Sequence, residues 1–144
     1  MKKAAYFIIL ISISVISADH VVGVDAKKED KISGIVLHSG TVKVLTLAGG
    51  TGVINWEIKG ISKEDSGEGP FHNSKISCAG VHYLLKGVGK SRGYCIGNAS
   101  NGDSYLSELT QDNLKIEHGL QVFAFKLIGG TGQFSGIQGE GKYI

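Results

Sequence analysis

Residues 122–132 read VFAFKLIGGTG, and residues 42–52 repeat the arrangement as VKVLTLAGGTG. In the first stretch, Phe123, Phe125 and Leu127 alternate with the residues between them, and a Gly-Gly-Thr-Gly segment follows. Alternation with period two places successive side chains on opposite faces of a β-strand, so each stretch is predicted to be a strand that ends in a tight turn. The predicted turns consist of Gly49, Gly50, Thr51 and Gly52, and of Gly129, Gly130, Thr131 and Gly132. Chain reversal is the preferred role of both turns; an anion cradle is the alternative, although a helix is expected after neither.

The rest of the chain continues this pattern of short alternating segments separated by glycine-rich turns. No window of about twelve residues has the 3.6-residue period of an amphipathic helix. An all-β fold is therefore predicted, either an up-and-down barrel or a sandwich. We favour an eight-stranded antiparallel β-barrel, because closure removes sheet edges and a chain with 1 Pro has no edge prolines to protect them. The candidate strands are residues 31–38, 41–47, 53–61, 71–79, 81–86, 92–97, 103–110 and 120–128, with a ninth, glycine-broken run at 134–143.

The start of the chain has the layout of a secretory signal peptide. Two lysines precede an apolar run at residues 4–16, and small residues follow, among them Ala18 and Ala26. The run is too short to span a bilayer as a helix, so no stable membrane insertion is expected. We predict a signal peptide at residues 1–26, cleaved after Ala18 or Ala26, and a single β-barrel domain at residues 27–144. The protein is expected to be exported, to the periplasm or the extracellular space; an uncleaved anchor or a buried helix is the alternative.

The composition is that of a small folded domain with an excess of glycine. Of 144 residues, 42% are hydrophobic and 19% charged, which argues against intrinsic disorder. The 22 glycines lack the regular spacing of collagen. With 15 Lys and Arg against 13 Asp and Glu, the net charge of +2 does not favour a nucleic acid or an anionic membrane as partner.

Cys78 and Cys95 are the 2 cysteines of the chain. In an oxidising compartment they are expected to form a disulfide bond; two reduced core thiols are the alternative. One widely spaced cysteine pair without a phased pair of histidines does not make a zinc site. We therefore expect no metal and no other cofactor.

Residues 125–139, FKLIGGTGQFSGIQG, resemble the C-terminal signature shared by allene oxide cyclases and dirigent proteins. The chain is also similar to a group of small secreted bacterial proteins that combine this signature with a Gly-x-Gly-x-x-His-Asn stretch and a cysteine pair. Here that stretch contains Gly67, Gly69, His72 and Asn73. Both resemblances imply an eight-stranded antiparallel barrel of the allene oxide cyclase type. Neither carries a catalytic residue set over to this chain, so the resemblance implies a fold and not an activity.

His72 is the leading polar candidate for ligand contact. In the predicted strand at 71–79 it shares a face with Ile76 and Cys78, and Glu68 lies four residues upstream. A histidine at the mouth of a barrel can serve as an acid, a base or a ligand anchor. The alternative is a structural histidine that is hydrogen-bonded to the adjacent loop.

Aromatic residues on the predicted strands are candidates for the lining of a ligand cavity, although core and outer-surface positions are the alternatives. The full set of candidate ligand-binding residues is His72, Glu68, Trp56, Tyr83, Tyr94 and Tyr105. Three other histidines, His38, His82 and His118, lie on separate segments without a shared spacing. The sequence gives these three no functional role.

Three functional hypotheses follow from export, barrel patterning and the lack of a complete catalytic set. The first is non-enzymatic binding of a small apolar ligand or a surface partner. The second is a cyclase or isomerase that acts on an apolar intermediate in the barrel pocket. The third is a structural or inhibitory surface protein. A cavity with a hydrogen-bonding group inside it supports the first two over the third, and the oligomeric state stays open.

Overall fold

The computed structural model describes residues 9–22, 29–46, 49–86, 88–115 and 122–143. Their strands pair antiparallel with their neighbours in the chain, and β1 also pairs with β8, so that the sheet closes on itself. The prediction of an all-β, antiparallel, barrel-like fold is confirmed. The strands are β1 (Ile9–Val22), β2 (Glu29–Thr46), β3 (Gly52–Glu64), β4 (Lys75–Leu85), β5 (Val88–Asn98), β6 (Ser104–Lys115), β7 (Phe123–Gly130) and β8 (Gln138–Tyr143).

The origin of the strands differs from the sequence prediction. β1 lies entirely within residues 1–26, which are predicted to be a signal peptide, and residues 27–144 contribute the seven strands β2 to β8. The predicted strands 31–38 and 41–47 form one strand, β2, and the predicted strands 71–79 and 81–86 merge into β4, which begins at Lys75 and ends at Leu85. Predicting eight strands within residues 27–144 was therefore wrong, because two glycines inside strands were interpreted as turns.

These two glycines, Gly40 and Gly80, lie at inward positions of β2 and β4 where a side chain has no room. A Cβ at Gly40 would lie 2.5 Å from the carbonyl oxygen of Glu57. A Cβ at Gly80 would lie 2.2 Å from Cζ2 of Trp56. Both residues pair in continuous ladders, Gly40 with Ile58 and Gly80 with Trp56. Glycine here allows close packing inside a strand and does not reverse the chain.

The two ends of the barrel differ in what closes them. At the end that carries the β3–β4, β5–β6 and β7–β8 connections, Tyr105 packs edge-on against Phe71 and Phe134, with ring centroids 4.8 and 5.1 Å apart. Leu127 and Ile137 complete this buried cluster. A second buried cluster contains Val36, Trp56 and Leu109 and extends toward the β4–β5 hairpin. We call the end of the barrel that contains the first cluster the plugged end, and the end toward the β4–β5 hairpin the hairpin end.

The turn at residues 129–132 docks on the β5–β6 hairpin. The backbone N–H of Ser104 donates to Thr131 Oγ1 at 2.9 Å, and the N–H of Thr131 donates to the Ser104 carbonyl at 2.7 Å. The N–H of Gln133 donates to Asp103 Oδ2 at 3.0 Å, so a carboxylate of the chain itself already lies against this turn. Gly132 has φ +52, and Gly49 and Gly50 of the repeated turn have φ +73 and +70, which fits chain reversal at both places.

Candidate functional site

The described residues line two cavities in the barrel interior, which share the side chains of Ile58, Leu109 and Tyr143. The smaller, of about 80 Å³, lies toward the plugged end, and its wall includes the Cys78–Cys95 disulfide bond. The larger, of about 150 Å³, lies toward the hairpin end and is called the histidine cavity below. Its lining residues are His38, Gly40, Thr41, Val42, Trp56, Glu57, Ile58, His82, Leu109, Phe123 and Tyr143.

Strand register brings Trp56 and His82 together, and His38 lines the same cavity from β2. His38, Trp56 and His82 occupy inward positions on β2, β3 and β4, where side chains alternate between the interior and the outer surface. Trp56 pairs with Gly80, and His82 lies two residues further along the same face of β4. The ring centroids of Trp56 and His82 are therefore only 5.8 Å apart.

The indole of Trp56 occupies the space left by two glycines on the neighbouring strands. Trp56, Gly80 and Gly93 form one cross-strand row over β3, β4 and β5. A Cβ at Gly93 would lie 2.5 Å from the indole, nearly as close as the one at Gly80. Trp56 is consequently only 5% exposed, and its ring forms a fixed wall of the histidine cavity.

Partial burial favours the neutral form of both histidines of the cavity. Burial lowers the pKa of His38 and of His82 below the ordinary value of 6.5, because the charged imidazolium loses its hydration. A neutral imidazole has one N–H donor and one nitrogen acceptor. His82 also lies 6.2 Å from Phe123, and His38 lies 6.2 Å from Tyr143, measured between ring centroids.

Two buried polar atoms in residues that line this cavity have no hydrogen-bond partner among the described residues. They are Nε1 of Trp56 and Nδ1 of His82, and both residues line the cavity. Ser91, which pairs with His82 across the β4–β5 ladder, is fully buried, and its Oγ also has no partner in the described part of the chain. Leaving one buried polar group without a hydrogen bond costs about 1–3 kcal/mol. The arrangement is suited to a guest that supplies the missing partner.

His72, the leading polar candidate from the sequence, lies outside both cavities. β4 begins at Lys75, so the prediction of a strand from residue 71 was wrong; residues 71–73 form a turn in which Asn73 has φ +61. Nδ1 of His72 accepts a hydrogen bond from the backbone N–H of Glu64 at 3.1 Å. The geometry is that of the structural alternative, a histidine that holds the β3–β4 loop against its strand.

The acidic neighbour of His72 is Glu64, whereas Glu68 is exposed in the loop. Oε1 of Glu64 accepts a hydrogen bond from the N–H of Phe71 at 2.7 Å. Burial raises the pKa of Glu64, and its two backbone hydrogen bonds together with His72 oppose that shift. These contacts fix the loop that inserts Phe71 into the plugged end.

Of the four aromatic candidates, two face the barrel interior and two face the outer surface. Trp56 lines the histidine cavity and Tyr105 lines the smaller one. Burial raises the pKa of Tyr105 to about 12, so its hydroxyl stays protonated. Tyr83 and Tyr94 have side chains 52% and 54% exposed at outward positions of β4 and β5.

Sequence reasoning missed His38 and His82, because cross-strand neighbours far apart in the chain have no common spacing. The usable signal was strand phase, since His82 has the parity of Cys78 on β4 and both face inward. His118 lies outside the described residues. The predicted disulfide bond is confirmed: Cys78 and Cys95 face each other across the β4–β5 ladder with Cα atoms 4.0 Å apart.

Comparison with known proteins adds no relative. The chain matches no protein-family model, no curated protein and no solved structure. Within the described ranges, no group of three or more His, Cys, Asp or Glu side chains is arranged to hold a metal ion. Among the same residues, no helix has the length and apolar character needed to cross a membrane.

Proposed function

We propose that this protein is an exported barrel of the allene oxide cyclase type, eight-stranded in the full chain, that binds a small apolar ligand in its interior without catalysing a reaction. The observation that carries the proposal is the histidine cavity, whose walls include the side chains of Val42, Trp56, Leu109 and Phe123. Apolar walls with a few convergent polar groups are typical of small-molecule sites. The disulfide bond is compatible with export.

The cavity volume limits the size of the ligand. Drug-sized ligands occupy pockets of about 300–1,000 Å³. An apolar cavity of about 150 Å³ in an engineered protein holds one benzene molecule. The histidine cavity has a volume of about 150 Å³, so the proposed ligand has the size of a single ring.

The fluorescence of Trp56 reports on ligand binding directly, because Trp56 is the single tryptophan of the chain and lines the cavity. We expect toluene to change the fluorescence of Trp56 saturably and to raise the Tm of the protein, since a ligand that binds only the folded state stabilises it. Leu109→Phe, which adds volume at a residue lining both cavities, should weaken both responses. Ile96→Phe is the matched control, because Ile96 is 50% exposed on the outer face of β5 and should leave them unchanged.

Two results would reject interior binding. One is the absence of any change in fluorescence or Tm up to saturating toluene. The other is an equal response in the Leu109 and Ile96 variants, which would place the ligand outside the cavity. Binding of a surface partner stays a prediction, because the exposed apolar side chains are distributed over several strands and single out no face.

A second candidate function, isomerisation, is favoured by the two neutral histidines at the histidine cavity. A buried neutral imidazole is a suitable general base for removing a proton next to a carbonyl group. Cyclohexanone in deuterated water tests this activity, because proton removal exchanges its α-hydrogens for deuterium. Exchange above the buffer rate that disappears in His82→Phe and His38→Phe would support the isomerase; exchange at the buffer rate would reject it.

A further inference from the structure

We propose that the histidine cavity selects an apolar molecule of single-ring size that carries one hydroxyl group, held between Nε1 of Trp56 and Nδ1 of His82. The proposal rests on the proposed ligand-binding function and adds the polar group that the ligand must have. It starts from two buried polar atoms without a partner among the described residues, which belong to two side chains that line one cavity.

The indole N–H of Trp56 requires the ligand to carry a hydrogen-bond acceptor. Its indole nitrogen can only donate a hydrogen bond, and it is buried in a side chain of which only 5% is exposed. The glycines beneath the ring, Gly80 and Gly93, leave no space for the indole to move toward β4 or β5. The donor is therefore fixed in place and requires an oxygen or nitrogen acceptor from a guest molecule.

His82 selects a hydroxyl among the possible acceptors. With Nδ1 unprotonated, His82 needs a donor, which a hydroxyl supplies while its oxygen accepts from Trp56. With Nδ1 protonated, the two lone pairs of the same oxygen accept from both residues. A hydroxyl thus satisfies both residues in either tautomer of His82, whereas an ether or ketone oxygen does so in only one.

The bridging arrangement requires the two rings to be neighbours. Their centroids are 5.8 Å apart with planes inclined by 32°, and both residues border the same cavity. One oxygen with two hydrogen bonds of about 2.8–3.0 Å joins two nitrogen atoms about 4.5–5 Å apart, which is the separation that the proposal requires of Nε1 and Nδ1. The apolar body of the ligand then lies against Leu109, Val42 and Phe123.

Cyclohexanol and methylcyclohexane form the matched ligand pair, because they have similar shape and differ in a hydroxyl against a methyl group. Binding is followed with the protein itself, by the proton resonance of the single indole N–H. We expect cyclohexanol to shift this resonance downfield as the N–H gains an acceptor. Methylcyclohexane should bind without that shift.

Variants at position 82 test the second hydrogen bond. His82→Phe keeps a ring but loses both nitrogens, so the affinity for cyclohexanol should fall about tenfold while that for methylcyclohexane does not fall. His82→Asn places an amide near the position of Nδ1 and should restore part of the loss. Tyr83→Phe is the matched control, since it removes a hydroxyl from the neighbouring, outward-facing residue.

The outcomes separate this proposal from the function on which it rests. If neither ligand binds, interior binding itself is rejected. If both bind and His82→Phe lowers both affinities equally, or if cyclohexanol leaves the indole resonance unmoved, the ligand site stands and hydroxyl selection is overturned. The indole resonance needs no variant, so the test holds even if His82→Phe fails to fold.

Discussion

The side chain of Trp56 determines which residues its neighbours can be. Adding a methyl group at Gly80 would bring a Cβ to 2.2 Å from the indole and 2.5 Å from the carbonyl oxygen of Arg92. Overpacking of this kind costs about 1–3 kcal/mol, so Gly80→Ala is predicted to lower the free energy of unfolding by about that amount. Urea denaturation followed by Trp56 fluorescence measures it. Ala79→Val, on the outer face next to Gly80, is the control and should change stability little; a Gly80 variant as stable as the wild type would contradict the packing argument.

Buried histidines give the barrel a pH-dependent stability. Because burial lowers the pKa of His38 and His82, the unfolded chain binds more protons than the folded barrel as the pH falls past 6.5. The contribution of these two histidines to stability is therefore complete well above pH 6.5, and it is lost as the pH falls from 6.5 through their lowered pKa values. We predict that the urea midpoint decreases over this range and that His82→Phe reduces the decrease. An equal decrease of the midpoint in His82→Phe and in the wild type would contradict this role of His82.

At the scale of elements, the glycine turn at residues 129–132 holds the β7–β8 connection against the β5–β6 hairpin. Thr131 Oγ1 accepts the N–H of Ser104, so Thr131→Ala should lower the free energy of unfolding by about 1 kcal/mol. Thr131→Ser keeps the hydroxyl and is expected to keep most of the stability. Gly132→Val should cost more, because its φ is +52 and a Cβ there would lie 1.9 Å from Oδ1 of Asp103. Equal stability of the Ala and Ser variants in urea denaturation would mean that the hydroxyl does not hold the turn.

The disulfide bond joins β4 and β5, which already pair along their length. Its stabilisation comes mainly from the unfolded state, where it links residues separated by 17 positions in the chain. The chain-entropy model gives about 3 kcal/mol for a loop of this length. We predict that the Cys78→Ala, Cys95→Ala double variant has a lower Tm than the wild type but keeps a β-sheet circular dichroism spectrum. A Tm unaffected by the double substitution would show that the unfolded chain gains no conformational entropy when the bond is lost.

For the whole molecule, the sequence predicts the kind of fold better than its site. Alternation in segments such as residues 122–128 depends on local geometry, so all-β structure and strand positions can be predicted. Gly40 and Gly80 were misinterpreted because a glycine that makes room for another strand has the same local sequence signal as a turn. The histidine cavity depends on register between strands and on closure of the sheet, which together place His38 at the same cavity as Trp56 and His82. Local patterns contain no such information.

The β1 strand connects the fold of the whole molecule to export. β1 pairs with β2 over Ile9–Val22 and with β8 along its second half, yet it lies inside the predicted signal peptide. Removal of residues 1–26 would leave β2 and β8 each with one row of unpaired backbone groups. In the chain that starts at Lys27, we therefore predict that alternate amides of β2, those directed toward β1, exchange with solvent faster than the amides directed toward β3.

Hydrogen exchange of the full chain and of the chain from Lys27 provides the comparison. The central strand β5, paired with β4 and β6, is the internal control and should stay protected at successive amides in both forms. In the full chain, β2 should resemble β5, because neighbours lie on both of its sides. Uniform protection of β2 in the shortened chain would contradict the prediction, since it would require β2 and β8 to pair directly and close a seven-stranded barrel. That closure would also bring His38 of β2 closer to Tyr143 of β8, whose rings now lie 6.2 Å apart. The histidine cavity would become narrower, so the shortened chain would bind toluene more weakly.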